Sequence, residues 1–323
     1  MLTRRSALAT SVSTAVPAVL AGPARAANSF QGFVAGVYAE AAAEGIRRDV
    51  LDAAFTGVAP NQAVIQKDRR QAEFNMTWPQ YRALVISNQR IADGRIAVAA
   101  NNAVLSHADS YFRVAAPVIA GIWGVESNFG VLTGNYKVVE ALATLGWEGR
   151  RATFFRSELM AALRILNNGD IAPAGMTGSY AGAMGQPQFM PSSYLRLAVD
   201  FDGDGRRDIW NSKADVLGSI ANFLARSGWR PGETWGQPVQ TPPGLVAMGR
   251  EERRPLSEWA RMGIVPTSGR WAASGDAPAA VIAPDGPGGE AFMVFNNFAA
   301  IRRYNPSDFY AIAVGFVGDS VMT

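Results

Sequence analysis

A mainly α (α+β) fold, with an N-terminal helical layer and a small β-containing subdomain, is predicted by three features of the 323-residue sequence. Residues 28 to 115 carry Ala-rich amphipathic runs of helical spacing, as in 33–40 (FVAGVYAE). Residues 117 to 130 place Pro at the start and Gly just after the end of a short apolar segment, the asymmetry expected of helix termini. From residue 229 to 290 the composition turns rich in Gly and Pro, with short apolar runs at 244–248 and 279–282 that suggest strands. A chain of this length, 48% hydrophobic and 18% charged, can bury a substantial core.

Taken in order, residues 1–26 read as an export leader. Arg4 and Arg5 precede an apolar stretch from 7 to 22, and Ala24-Arg25-Ala26 supplies small residues at the −3 and −1 positions of a cleavage site. The stretch falls short of the roughly 20 residues a membrane span requires. The paired arginines leave both the twin-arginine and the general secretory route open. Residues 27–115 form the α-helical region, punctuated at 57–60 (GVAP). Residues 116–228 form the central core, with helices expected over 117–130, 151–167 and 213–227. Residues 229–295 make the small β-rich subdomain, and 296–323 return to the core through a helix over 307–319. With no Cys at the cleavage site a lipid anchor there is excluded, so the mature chain is expected free in the periplasm.

Composition removes whole classes of chemistry. There is no Cys, which excludes disulfides, thiol nucleophiles and Cys-ligated zinc, and one His, His107, which excludes a His-Glu-x-x-His zinc site. His107 itself reads as a surface helical residue. None of Lys67, Lys137 and Lys213 has a Ser three residues before it. The formal charge of +3 comes from the leader, whose three Arg face no acid. Without it 27 basic residues balance 27 acidic ones, and nucleic acid loses its electrostatic support as a partner. Chemistry is left mostly to carboxylates.

One carboxylate is out of place. At about 100° per residue, Glu126 lies roughly 40° from Ile122, 20° from Ile119 and 60° from Phe129, within the apolar stripe of its helix. Desolvation there raises a carboxyl pKa, as a general acid working near neutrality needs. A fraying helix end, or a buried acid paired with Arg, would place it there too. A second segment, 178–194 (GSYAGAMGQPQFMPSSY), holds three Gly and two Pro among hydroxyl, amide and aromatic side chains. Such a loop suits a carbohydrate, with amides and hydroxyls for sugar hydroxyls and aromatic faces for pyranose rings; a structural turn has the same composition. A third, 200–211 (DFDGDGRRDIWN), puts acids at positions 1, 3, 5 and 9 and Gly at 6 of a calcium loop, with Arg206 offering its carbonyl at 7. Asn211 replaces the bidentate Glu at position 12. A structural Ca2+ held by Asp200, Asp202, Asp204 and Arg206 is weighed against an Asp/Gly turn without metal. Trp123, Trp147, Trp210 and Trp229 read as core, and the mixed-sign run 250–254 as a solvated face.

Together and in this order, these segments resemble the B-type family of soluble lytic murein transglycosylases, relatives of lysozyme in fold. The resemblance spans roughly residues 30 to 320. It includes Gly124-Val125-Glu126-Ser127, 140–145 (EALATL), the loop ending at Tyr194, the 200–205 acidic loop, Asn297-Phe298, and Tyr304-Asn305 into Tyr310-Ala311. It implies a lysozyme-like catalytic core and cleavage of the β-1,4 bond between N-acetylmuramic acid and N-acetylglucosamine, one Glu acting first as acid and then as base to give a 1,6-anhydro product. That role falls on Glu126. No cofactor enters the chemistry. Substrate contacts match Tyr81, Ser179, Gln188, Tyr304 and Asn305, with Phe223 where the family often has Tyr. Asp215 is the nearest match to the acid that closes the calcium loop. Peptidoglycan strands are the expected partner, cell-wall synthesis proteins the further class, and a monomer the expected state. A non-catalytic wall-binding protein and a hydrolytic muramidase are the rival readings.

Overall fold

The computed structural model describes residues 29–71, 76–245, 249–273 and 275–323. The leader expected over 1–26 lies outside the described residues.

The N-terminal region forms α1 (Phe30–Ala43), α2 (Arg48–Phe55), α3 (Gln62–Gln71), α4 (Trp78–Val85), α5 (Asn88–Ala100) and α6 (Asn102–Phe112). Side-chain caps start several of them. Ser29 Oγ accepts from Gly32 N at α1, and Ser87 Oγ accepts from Arg90 N at α5. Thr77 and Gln80 close a capping box at α4. The region divides between two hydrophobic cores rather than lying in one layer. Phe30, Val37, Leu51 and Val64 of α1 to α3 join one core, while Trp78, Val98 and Leu105 of α4 to α6 join the other.

The centre of the molecule is α7 (Ala116–Ser127), which is buried from Ala116 to Gly124 apart from Pro117 and whose apolar residues cover every side. A helix of that kind must be enclosed. After it come β1 (Tyr136–Lys137), α8 (Val138–Glu148), α9 (Ala152–Asn168), β2 (Thr177–Gly178), α10 (Pro191–Leu197) and α11 (Lys213–Arg226). The expected helices over 117–130, 151–167 and 213–227 are therefore present with shifts of a few residues. The two-residue strands β1 and β2 pair antiparallel, Tyr136 with Gly178, and so hold the start of the 178–194 loop against α8.

The β subdomain comprises β3 (Gly236–Gln240), β4 (Arg254–Pro255), the short helix α12 (Leu256–Arg261), β5 (Val265–Pro266), β6 (Pro278–Ile282) and β7 (Ala291–Val294). Its sheet is antiparallel, ordered β4-β6-β7-β3-β5. Ala280, Ile282, Phe292 and Val294 face the central helical core, whereas Ala279, Val281, Ala291 and Met293 face Trp259 and Leu256. Both faces are thus covered, and continuous apolar runs result where alternation would mark a one-sided sheet. Of the run expected as a strand at 244–248, Gly244 and Leu245 are not in a strand. Residues 243 and 244 form a turn, and 246–248 lie outside the described residues. The run 250–254 is less solvated than its composition suggests, because Arg250 pairs with Asp308 and Arg254 with Glu252 and Glu258.

The chain returns to the centre through α13 (Asn296–Arg302) and α14 (Asp308–Val321). Helix α14 docks on α7 at backbone distance. A Cβ on Gly121 would lie 2.1 Å from Val314 O, and one on Gly318 would lie 2.2 Å from Pro117 O. Only glycine permits this approach. It carries Tyr310, at the start of α14, to the end of α7 that bears Glu126.

Candidate active site

Glu126 sits in the last turn of α7, which ends on Asn128 in the left-handed region. The residue as a whole is partly exposed, and Tyr310, Tyr304 and Tyr81 lie around its carboxyl. Tyr310 Oη donates to Glu126 Oε1 at 2.6 Å. The Tyr304 ring stacks on Tyr310 with centroids 6.4 Å apart, and Tyr304 Oη donates to Pro187 O at 2.6 Å. Burial pushes the Glu126 pKa from 4.5 up to about 7, against the opposing hydrogen bond from Tyr310. Burial, followed by the Glu126 charge, pushes Tyr81 up to about 12. The same two causes, in the same order, hold Tyr304 and Tyr310 well above the phenol range. Near neutrality the site therefore presents one carboxyl poised to lose or gain a proton, ringed by phenols that remain donors. No Arg pairs with Glu126 among the described residues, and no other carboxylate acts on its pKa. Glu140, the next acid downstream, accepts from Asn61 Nδ2 instead.

Three of the sequence-predicted contact residues surround this acid. Tyr81 couples to it electrostatically and packs against Phe309, centroids 5.7 Å apart. Tyr304 lines it through Tyr310. Phe223 lies 4.4 Å from the Tyr304 ring and 5.8 Å from Phe189, but it is only 9% exposed. It braces Tyr304 from behind and offers no open stacking face. Gln188 is held with φ 54 in the 178–194 loop, its Nε2 donating to Thr133 O and Gly185 O, which leaves Oε1 as the atom it presents. Ser179 and Asn305 make no direct contact with Glu126. The Ser179 hydroxyl accepts from Ala181 N and Ala183 N, which shapes the loop. Asn305 is exposed in the turn between α13 and α14.

Two residues that bind the site together were given no role by the sequence. Tyr310 looks like core on an apolar helix and is 184 positions from its partner. Gln186, 3% exposed, accepts at Oε1 from Trp123 Nε1 and Lys213 Nζ and donates from Nε2 to Trp210 O. It fastens the loop bearing Gln188 to the helix bearing Glu126. Its signal was a polar side chain between Gly185 and Pro187, where a turn would otherwise suffice. A separate apolar cavity of about 510 Å³, lined by Phe30, Val34, Tyr38 and Val58, belongs to the other core and contains no carboxylate.

The acidic loop gathers Asp200, Asp202 and Asp204, whose oxygens lie within 4.8 Å of one another. All three are exposed. Asp200 is oriented by the backbone N–H groups of Gly203, Asp204 and Gly205. Three hard anionic oxygens brought together on a preformed loop suit Ca2+. Arg206 contributes its side chain to an ion pair with Asp204. Asp215 is buried beneath the loop and spends both oxygens on Phe201 N and Asp208 N, at 2.7 and 2.6 Å, so it supports the loop from below and is not gathered with the other three. Asn211, at position 12, bonds Asp208. Among the described residues no helix is long and apolar enough to cross a membrane.

Comparison with known proteins identifies relatives of this chain. The family model described as "Transglycosylase SLT domain" matches residues 29–319. The chain is 33% identical over 263 residues to the membrane-bound lytic murein transglycosylase B of Escherichia coli, covering 81% of this chain and 72% of that one. Among solved structures, SltB3 of Pseudomonas aeruginosa in complex with NAG-anhNAM-pentapeptide superposes with a TM-score of 0.87 at 42% identity, covering 91% of this chain and 80% of the other. The Escherichia coli lytic transglycosylase Slt35 in complex with calcium gives 0.76 at 31% identity, covering 91% and 92%. A lysozyme-like fold is thus shared over nearly the whole described chain, which belongs to the SLT family of peptidoglycan lytic transglycosylases.

Proposed function

We propose that this enzyme cleaves the β-1,4 bond between N-acetylmuramic acid and N-acetylglucosamine with Glu126 as its only proton-transferring acid, releasing a 1,6-anhydromuramic end. In the first step the protonated Glu126 gives its hydrogen to the bridging oxygen, and the C1–O bond breaks as N-acetylglucosamine leaves with a 4-hydroxyl. In the second, the Glu126 carboxylate takes the proton of the muramyl C6 hydroxyl while O6 bonds to C1. Atoms balance without water, and Glu126 is protonated again.

The observation that carries this reading is a solitary carboxyl held near pKa 7 by burial, with no second acid acting on it. A retaining hydrolase of the two-carboxylate kind needs a partner at about 5–5.5 Å. The phenols of Tyr310, Tyr304 and Tyr81 stay protonated beside Glu126 and do not compete for its proton, Tyr310 donating to the carboxyl itself. Tyr81, Ser179, Gln188, Tyr304 and Asn305 contact the glycan, with Phe223 supporting Tyr304. Asp200, Asp202 and Asp204, with the Arg206 carbonyl and with Asp215 beneath, hold a structural Ca2+ that fixes the loop and takes no part in proton transfer. The leader expected at 1–26 directs the enzyme to the periplasm, where it acts as a monomer on glycan strands.

The test is digestion of purified peptidoglycan followed by mass spectrometry of the soluble muropeptides. Anhydro ends are expected. Reducing ends, heavier by one water, would identify a muramidase, and no release would identify a binding protein.

A further inference from the structure

The helix bearing Glu126 is followed by two successive non-glycine residues in the left-handed region, Asn128 with φ 47 and Phe129 with φ 57. Each is strained for an L-residue and persists only where the surroundings fix it. Helix α5 does so at two points. Arg90 Nε donates to Asn128 Oδ1 at 3.2 Å. The Phe129 ring fills the space above Gly94 of α5 and Gly124 of α7, where an added Cβ would come within 2.5 and 2.6 Å of it.

Arg90 has a second attachment, to Val85 O at the end of α4. That helix carries Tyr81, with which the guanidinium interacts electrostatically. Arg90 is half-buried, and among the described residues its hydrogen bonds go to neutral oxygens and not to a carboxylate. A desolvated guanidinium without an ion pair gains little stability for the fold. Its two bonds instead join the elements that bring Tyr81 and Glu126 together.

We propose that Arg90 is a positioning residue: by tying the end of α4 to the Asn128 turn that closes α7, it fixes Tyr81 relative to Glu126 in the geometry of proton transfer. This rests on Glu126 as the acid and base.

The test compares Arg90→Gln, Arg90→Lys, Asn128→Gly and the Arg90→Gln/Asn128→Gly double variant by kcat, KM, the pH profile of kcat/KM and thermal melting. Glu126→Gln serves as control. Arg90→Gln is expected to lower kcat about tenfold, the scale of a sub-ångström misplacement, with KM changed less than about twofold. It should also displace the pH profile, and Arg90→Lys, still able to donate to one acceptor, should recover most of the loss. Because Asn128→Gly removes the acceptor and the backbone strain together, Arg90→Gln in that background should cost about twofold or less, the non-additivity expected of residues acting through one contact. Parental kcat and pH profile in Arg90→Gln, or full additivity with Asn128→Gly, would overturn the proposal. A lower melting temperature without a kinetic change would overturn it as well. If Glu126→Gln kept its turnover, the acid and base reading would fall instead. An inactive Glu126→Gln beside an unimpaired Arg90→Gln would sink the positioning role alone.

Discussion

Replacing Glu126 by Gln should abolish turnover and stabilise the protein, and the second effect should depend on pH. The carboxyl titrates near its ordinary 4.5 in the unfolded chain and at about 7 in the fold, because burial penalises the charged form. Below pH 4.5 both states hold the proton and the wild type carries no penalty. Between 4.5 and 7 the unfolded chain releases it while the folded chain keeps it, so wild-type stability falls as pH rises, and above 7 the full penalty is present. One pH unit is worth about 1.4 kcal/mol, so the full difference is on the order of 3 kcal/mol, reduced toward 2 because the residue is partly exposed to screening solvent. Gln keeps the volume and the acceptor for Tyr310 but cannot ionise. Thermal melts of the two proteins should therefore coincide near pH 4 and separate by roughly 5 °C at pH 8, with the variant higher. Peptidoglycan digestion by the same samples measures the loss of turnover. A melting difference independent of pH would refute the buried-acid reasoning, and wall solubilisation by the variant at the parental rate would refute the role of Glu126.

Removing the Tyr310 hydroxyl with Phe deletes the hydrogen bond that favours the ionised form. Glu126 should hold its proton more tightly, and the alkaline limb of kcat/KM should move up by about one pH unit, since a bond to a charged group is worth about 1.5–3 kcal/mol. Calcium added after chelation should raise the melting temperature, by an amount corresponding to about 2.7 kcal/mol at a hundredfold excess over Kd. Asp202→Asn should erase that difference; an unchanged midpoint in the parent would mean that the loop is a plain turn. Gly121→Ala forces a Cβ into the Val314 carbonyl, and denaturant titration should show a loss of about 3 kcal/mol.

How far the sequence could be read depended on whether a residue's role was local. Glu126 was legible because its neighbours at three, four and seven positions are apolar, so its burial is a consequence of helical periodicity alone. The acidic loop was legible because its ligands recur at every second position. Tyr310 carries no local mark: a Tyr on an apolar helix is ordinary core, and its partner is reached only through a fold in which α14 crosses α7. Strand β3 was hidden for a related reason. Its five residues include Pro238, which argues against a strand, and it is accommodated where β5 engages only Val239 and Gln240. For Phe223 the resemblance supplied an aromatic ring, while the Tyr304 ring packed 4.4 Å from it comes from a distant segment and leaves no local mark.

The glycine contact between α7 and α14 also sets an order of events. A ribosome that has made residues up to about 300 has already supplied Glu126, yet neither Tyr304 nor Tyr310 exists, and α7 lacks the helix that packs against Gly121. Competence to cut the wall polymer therefore arrives only after Tyr310 has been made. By the same logic, a protease that trimmed the chain back past Tyr304 would disarm the enzyme while leaving its acid untouched.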